Sequence, residues 1–176
     1  MPKVDVSKAE VRTIARYPGG LHACTEGREK IMVGDVCGLT QFGVNLTRLK
    51  PGAWSAHRHW HENEDEFVYI VEGEVVLMED GGETVLHAGD CAGWKAGAPV
   101  GHCLVNKSNR DVVFVEIGTR ARTEQCHYPD IDLHMAKNDD GIVRFIRIDG
   151  SRHGSSSSPV MTSVGVVIFF MGSTRS

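Results

Sequence analysis

His57, His59 and His61 stand at alternate positions within the segment Pro51 to Gly73, and Glu66 opens the apolar run that follows them. In an extended strand, side chains at i and i+2 share one face, so the three imidazoles can point into one space. Neutral imidazole together with carboxylate is the usual donor set for a divalent first-row metal. The plain alternative is a solvated acidic loop, since Glu62, Glu64, Asp65 and Glu66 crowd the same stretch. Three alternating histidines beside those carboxylates favour the metal site. Within the pattern, His57 competes for a place, either as a ligand or as a rim residue. Glu64 has the same parity as Glu66 and competes with it as the oxygen donor.

A chain of 176 residues is long enough for one domain with a sizeable core. Its 41% hydrophobic and 24% charged content is ordinary for a globular protein, and the net charge of −4 argues against a nucleic-acid partner. Met1 to Ala15 is polar, with no apolar stretch of a secretory leader, so a cytoplasmic location is expected. Five cysteines without a Cys-x-x-Cys pair fit free thiols in a reducing compartment. Cys91 and Cys103 lie near the histidine segments, and either is a candidate to line a cavity.

The elements that would position these groups are strands. Ser7 and Glu10 have capping-box spacing for a short helix, Tyr17-Pro18-Gly19-Gly20 is a turn, and Leu21 to Gly38 is irregular. From Leu39 onward short apolar or alternating runs dominate: 42–49, the histidine segment, 67–71, 75–78, 84–87, 91–94, 102–105 and 112–117. Asp80-Gly81-Gly82 and Ala88-Gly89-Asp90 turn the chain between them. Many short strands and no long helical periodicity predict an all-β barrel or jelly roll. Phe145 to Ile148 reads as a further strand. After Ser155-Ser156-Ser157-Ser158-Pro159, the apolar run Val164 to Met171 is too short to span a bilayer as a helix, so it is a strand or a sticky end. Membrane insertion is not expected.

The order of residues resembles the cupin superfamily. Gly52, His59, His61, Glu66 and Gly73 fall on its first motif, and Gly89, Gly97, His102 and Asn106 on its second. Lys95 replaces the usual proline of the second motif, and Pro99 with Gly101 lengthen the loop before His102. Gly38 to Leu46, Arg58 to His61, Gly101 to Asn106 and Tyr128 to Leu133 also resemble a bacterial subgroup of small single-barrel cupins.

The resemblance implies a double-stranded β-helix, with residues 1–38 as an N-terminal arm, 39–120 as a single barrel and 121–176 as an irregular C-terminal extension. It implies His59, His61, Glu66 and His102 as ligands of one divalent ion: Fe, Mn, Ni, Co or Zn. It also implies a homodimer. Trp60 lies between inward histidines, so its outward side chain is a candidate for that interface, and Arg58 shares its parity.

Such a site fits a metalloenzyme acting on a small molecule, as a dioxygenase or as an isomerase, epimerase or lyase with the metal as Lewis acid. The Lewis-acid branch needs a side-chain base, for which His57, Glu64 and Tyr69 are the candidates. A sugar phosphate would need a cation at the barrel mouth, and Lys95, Arg48 and Arg110 are those nearby. The competing reading is a non-catalytic ligand-binding or sensor cupin.

Overall fold

The computed structural model describes residues 3–15 and 17–151. The run Val164 to Met171 and the serine tract before it lie outside the described residues. Thirteen strands supply nearly all the regular structure among the described residues. The N-terminal segment carries β1 (Val11–Arg12) and β2 (Arg28–Ile31); β3 (Phe42–Leu49), β4 (Trp60–His61), β5 (Glu66–Glu72), β6 (Glu74–Glu79), β7 (Gly82–His87) and β8 (Cys91–Trp94) follow. The chain then forms β9 (His102–Val105), β10 (Val112–Thr119), β11 (Glu124–Tyr128), β12 (Leu133–Lys137) and β13 (Val143–Ile146). The single α-helix among the described residues spans only Val33–Val36. Among the described residues no helix is long and apolar enough to cross a membrane.

Two layers close around the interior. One is a six-stranded sheet in the order β1-β2-β3-β10-β5-β8. The other combines β7-β6-β9 with β13-β12-β11-β4. The histidine segment joins these two pieces, bridging to β9 at Trp54↔Val105 and His59↔His102 and to β11 through Trp60 and His61. This is the all-β jelly-roll arrangement expected from the strand pattern. Alternation along β5 buries Glu66, Val68 and Ile70 and exposes Phe67, Tyr69 and Val71. Asp80 and Gly81 form a two-residue hairpin loop between the paired Glu79 and Gly82. Gly73 ends β5 at φ +82°, and a Cβ there would sit 2.8 Å from the Asp111 carbonyl oxygen, so this turn admits only glycine.

Two apolar clusters fill the interior. Leu49, Val68, Ile70, Leu77, Leu104 and Phe114 belong to one. Tyr17, Ala56, Cys126, Tyr128, Leu133 and Met135 belong to the other.

Three local expectations are corrected. The turn near Ser7 is a 3-10 helix, Val6–Lys8, capped by Asp5 rather than by Ser7. The segment read as irregular contains β2, which pairs with β3 in the barrel sheet and buries Arg28 and Lys30. A strand with cations on its inward face inverts the apolar-inside pattern that marks strands in a sequence. The extension beyond residue 120 supplies β11 and β12, which pattern reading also missed; β11 pairs directly with the histidine segment.

Candidate metal centre

The histidine segment is not one continuous strand. Residues 55–58 bend, and only Trp60–His61 are laddered. The bend separates His57 from the face it would share with His59 and His61. The His57 ring turns toward the N-terminal segment: Nε2 lies 2.7 Å from the Leu21 carbonyl oxygen, and the ring packs edge-on against Tyr17. His57 still serves the site through its backbone, because its carbonyl oxygen accepts a hydrogen bond from His59 Nδ1 at 2.8 Å.

His59, His61, Glu66 and His102 do come together. All four are buried, with 0%, 5%, 5% and 3% exposure. Their ring Nε2 atoms converge on one carboxylate: His102 at 2.8 Å and His59 at 3.8 Å from Glu66 Oε2, and His61 at 3.6 Å from Oε1. Strand geometry explains the convergence. His59 and His102 face each other across an antiparallel bridge, and Glu66 reaches in from the opposite sheet.

Each imidazole is held from behind. His102 Nδ1 lies 3.0 Å from the Val100 carbonyl oxygen, and His61 Nδ1 lies 3.6 Å from Glu124 Oε1. Glu124 is itself fixed by the backbone N–H groups of Glu62, Asn63 and Gln125. At His59 and His102, donation from Nδ1 to a backbone carbonyl selects the tautomer that leaves Nε2 a lone pair, as a metal ligand requires. Trp94 stacks on His102 with centroids 3.7 Å apart and planes within 3°, locking the ring from its other face.

The electrostatics match the donor roles. Burial pushes His59 down to about 4 despite the pull of Glu66, so it is neutral near pH 7. Burial opposes the charge on Glu66, but His61, His102 and His59 outweigh it and hold the carboxyl well below its usual range. For His61, burial works against the proton, but Cys126, Glu66 and Glu124 outweigh it and raise the group, so binding a cation there would release a proton. Glu66 Oε1 is buried and accepts no hydrogen bond. Three imidazole nitrogens and a carboxylate form a donor set that fits a divalent transition ion. Facing donor atoms of His59, Glu66 and His102 lie within 4.8 Å of one another.

The other expected groups lie elsewhere. Glu64 is buried near His61 and Glu124, where it accepts from Lys137 at 2.8 Å and from the Ala121 N–H at 3.0 Å. Tyr69 points outward from β5 and is 44% exposed. Arg48, Lys95 and Arg110 are all on the surface. Trp60 is not a bare interface residue; it stacks on His127 at 4.1 Å. Arg58 does face outward, gripping both carboxylate oxygens of Asp130 and reaching Asp80.

Residues that sequence reasoning missed sit closer. Cys126 is fully buried within 4.8 Å of the His59 and His61 donor atoms, and burial pushes its thiol up. Of the two cysteines weighed as candidates to line a cavity, Cys103 lines one and Cys91 is exposed. That cavity, about 10 Å³, is lined by His59, His102, Trp94, Val68, Phe114 and Glu116, among others. Glu116 is 1% exposed. Its Oε1 receives Lys30 Nζ at 2.7 Å and Thr47 Oγ1 at 2.8 Å. The parity of Val112, Phe114 and Glu116 along β10 was the available signal for Glu116. For Lys30 no local signal existed. A second cavity, of about 250 Å³, lies beyond Glu124 and is bordered by Lys137 and Arg144.

The Cupin domain family profile matches residues 45–118. A sugar phosphate isomerase of the cupin superfamily from Silicibacter pomeroyi is 44% identical and superposes with a TM-score of 0.83, covering 88% of this chain and 98% of its own. A putative sugar phosphate isomerase from Acidithiobacillus ferrooxidans is 25% identical, with a TM-score of 0.70 over 82% of this chain and 88% of its own. A predicted oxalate decarboxylase from Thermotoga maritima, 24% identical with a TM-score of 0.54 over 68% of this chain and all of its own (100%), shares the fold. A comparison with curated proteins returns no match. Motif residues, jelly-roll topology and a 44%-identical relative spanned almost end to end agree: the chain belongs to the cupin superfamily.

Proposed function

We propose that this protein is a divalent-metal-dependent isomerase of small phosphorylated polyhydroxy substrates. The observation that carries the reading is the convergence of His59, His61, Glu66 and His102 on one point inside the barrel, beside a second buried polar cluster that includes Glu116 and Lys30. His59, His61, Glu66 and His102 would hold the ion, one of Fe, Mn, Ni, Co or Zn. When bound, such an ion supplies a Lewis acid that polarises a carbonyl or hydroxyl oxygen. The apolar walls, Val68, Phe114 and Trp94, exclude bulk water and strengthen every charge interaction inside. Isomerisation moves a proton between neighbouring carbons and needs no oxidant. Its support from relatives is the description of the 44%-identical structure as a sugar phosphate isomerase.

The closure of the site favours one second reading, a non-catalytic metal- or ligand-binding module. The cavity beside the donors has room for about one water. A larger substrate enters only when the walls move.

The test is to load the protein separately with each of the five metals and incubate it with aldose and ketose phosphates in D2O. Metal-dependent appearance of the isomer with carbon-bound deuterium supports the isomerase. Stoichiometric metal without turnover of any member of the panel sinks it and leaves the binding module.

A further inference from the structure

We propose that Glu116 is the catalytic base of this site, held by Lys30 and Thr47; the assignment rests on the isomerase reading. The three bases suggested by residue pattern are all out of reach of the cavity. His57 is turned onto Leu21, Glu64 is paired with Lys137, and Tyr69 is outside the barrel. Glu116 instead lines the cavity that His59 and His102 line. Its two oxygens differ. Oε1 carries both Lys30 and Thr47, while Oε2 is buried and accepts no hydrogen bond. A buried carboxylate oxygen without a partner is costly, and such groups are retained where they act on a ligand. Arg28, also buried, adds a second positive charge to the neighbourhood and donates from Nη1 to the Ser55 carbonyl oxygen at 2.6 Å. With Lys30 and Arg28 as buried counter-charges and Oε1 occupied, Oε2 is the oxygen left to take a proton.

The step balances without a co-reactant. Glu116 Oε2 takes the proton from the carbon next to the substrate carbonyl. The C–H electron pair becomes the carbon–carbon double bond of an enediolate, and the carbonyl oxygen takes the charge. The carboxylic acid returns a proton to the former carbonyl carbon, while the hydroxyl proton moves to the other oxygen. Lys30 and Thr47 are positioning residues, since they reach the substrate only through Glu116.

The experiment compares the metal-loaded protein with Glu116→Gln. The variant should keep full metal content by mass spectrometry and lose about a thousandfold in kcat, with KM changed by less than about threefold. Thr47→Val should lose about tenfold in kcat with KM and metal content unchanged, and Thr47→Ser, which keeps the hydroxyl, should restore most of it. If Glu116→Gln does not fold, Glu116→Asp replaces it, with a loss of about tenfold or more expected at unchanged metal content. Isomerisation by either Glu116 variant within threefold of the parent overturns the base assignment while the isomerase stands. Loss of metal from Glu116→Gln also overturns it, since Glu116 would then serve the metal. Absence of turnover by the parent with all five metals overturns both.

Discussion

Two groups of buried polar residues share the barrel interior, and they are built on opposite plans. His59, His61, Glu66 and His102 come from the histidine segment, β5 and β9, and each is oriented so that donor atoms converge on one point. Lys30, Thr47 and Glu116 come from β2, β3 and β10, and they neutralise one another. The first group gains its meaning from something added. The second closes on itself except at a single carboxylate oxygen. Removing a member should therefore have different consequences: lost affinity for an ion in the first group, lost fold stability in the second.

The largest expected effect is in the first group. His61→Ala should remove nearly all bound metal, measured by mass spectrometry after purification without chelator, while circular dichroism still reports the β fold. Stoichiometric metal in that variant would break the contrast at its root.

Next comes the second group. Lys30→Met strands a carboxylate that is 1% exposed and should cost roughly 3–5 kcal/mol in urea unfolding, with metal content unchanged. This effect has a pH signature. Burial pushes Lys30 down to about 8, against the pull of Glu116. The folded state therefore sheds its proton before the unfolded state does. The burial cost is fully present below pH 8 and is relieved as pH rises toward the ordinary lysine range. Across that window the parent should gain on Lys30→Met by up to about 1.4 kcal/mol per pH unit. A gap that stays flat with pH would place the charge elsewhere.

Glu124 tests whether the first group depends on its backing. Glu124→Gln should weaken metal binding by about 10–100-fold in a competition titration, because His61 loses the carboxylate behind its Nδ1. Unchanged affinity would mean that backbone carbonyls alone orient the set. The smallest effect belongs to the surface. Arg58→Glu breaks contacts to Asp130 and Asp80, whose side chains are each 50% exposed, so it should cost only about 1 kcal/mol and leave metal content intact. A large metal loss there would overturn the outward placement of Arg58 relative to His59.

The two groups also differ in how legible they were. The residues of the first group could be named because i, i+2 alternation and motif spacing are local properties of the chain. The same logic failed at His57, where the bend at 55–58 interrupts the alternation that the pattern assumed. Glu64 shares burial with Glu66, but its Oε1 is taken up by Lys137 and the Ala121 N–H, contacts that its parity could not reveal. Trp60 was placed outward correctly, but its cover, His127 of β11, comes from a strand that the pattern did not reveal.

The sequence by itself therefore determined the all-β class, most of the barrel strands and the turn at Gly73, because strand alternation and turn residues are local properties, while the set of four candidate ligands came from the motif resemblance to cupins. Only the tertiary structure decided what surrounds them. Lys30 and Glu116 are 86 positions apart along the chain and meet because β2 and β10 flank β3 in one sheet. A buried cation is tolerated only when its counter-charge arrives by such long-range pairing, and no local pattern records that arrival.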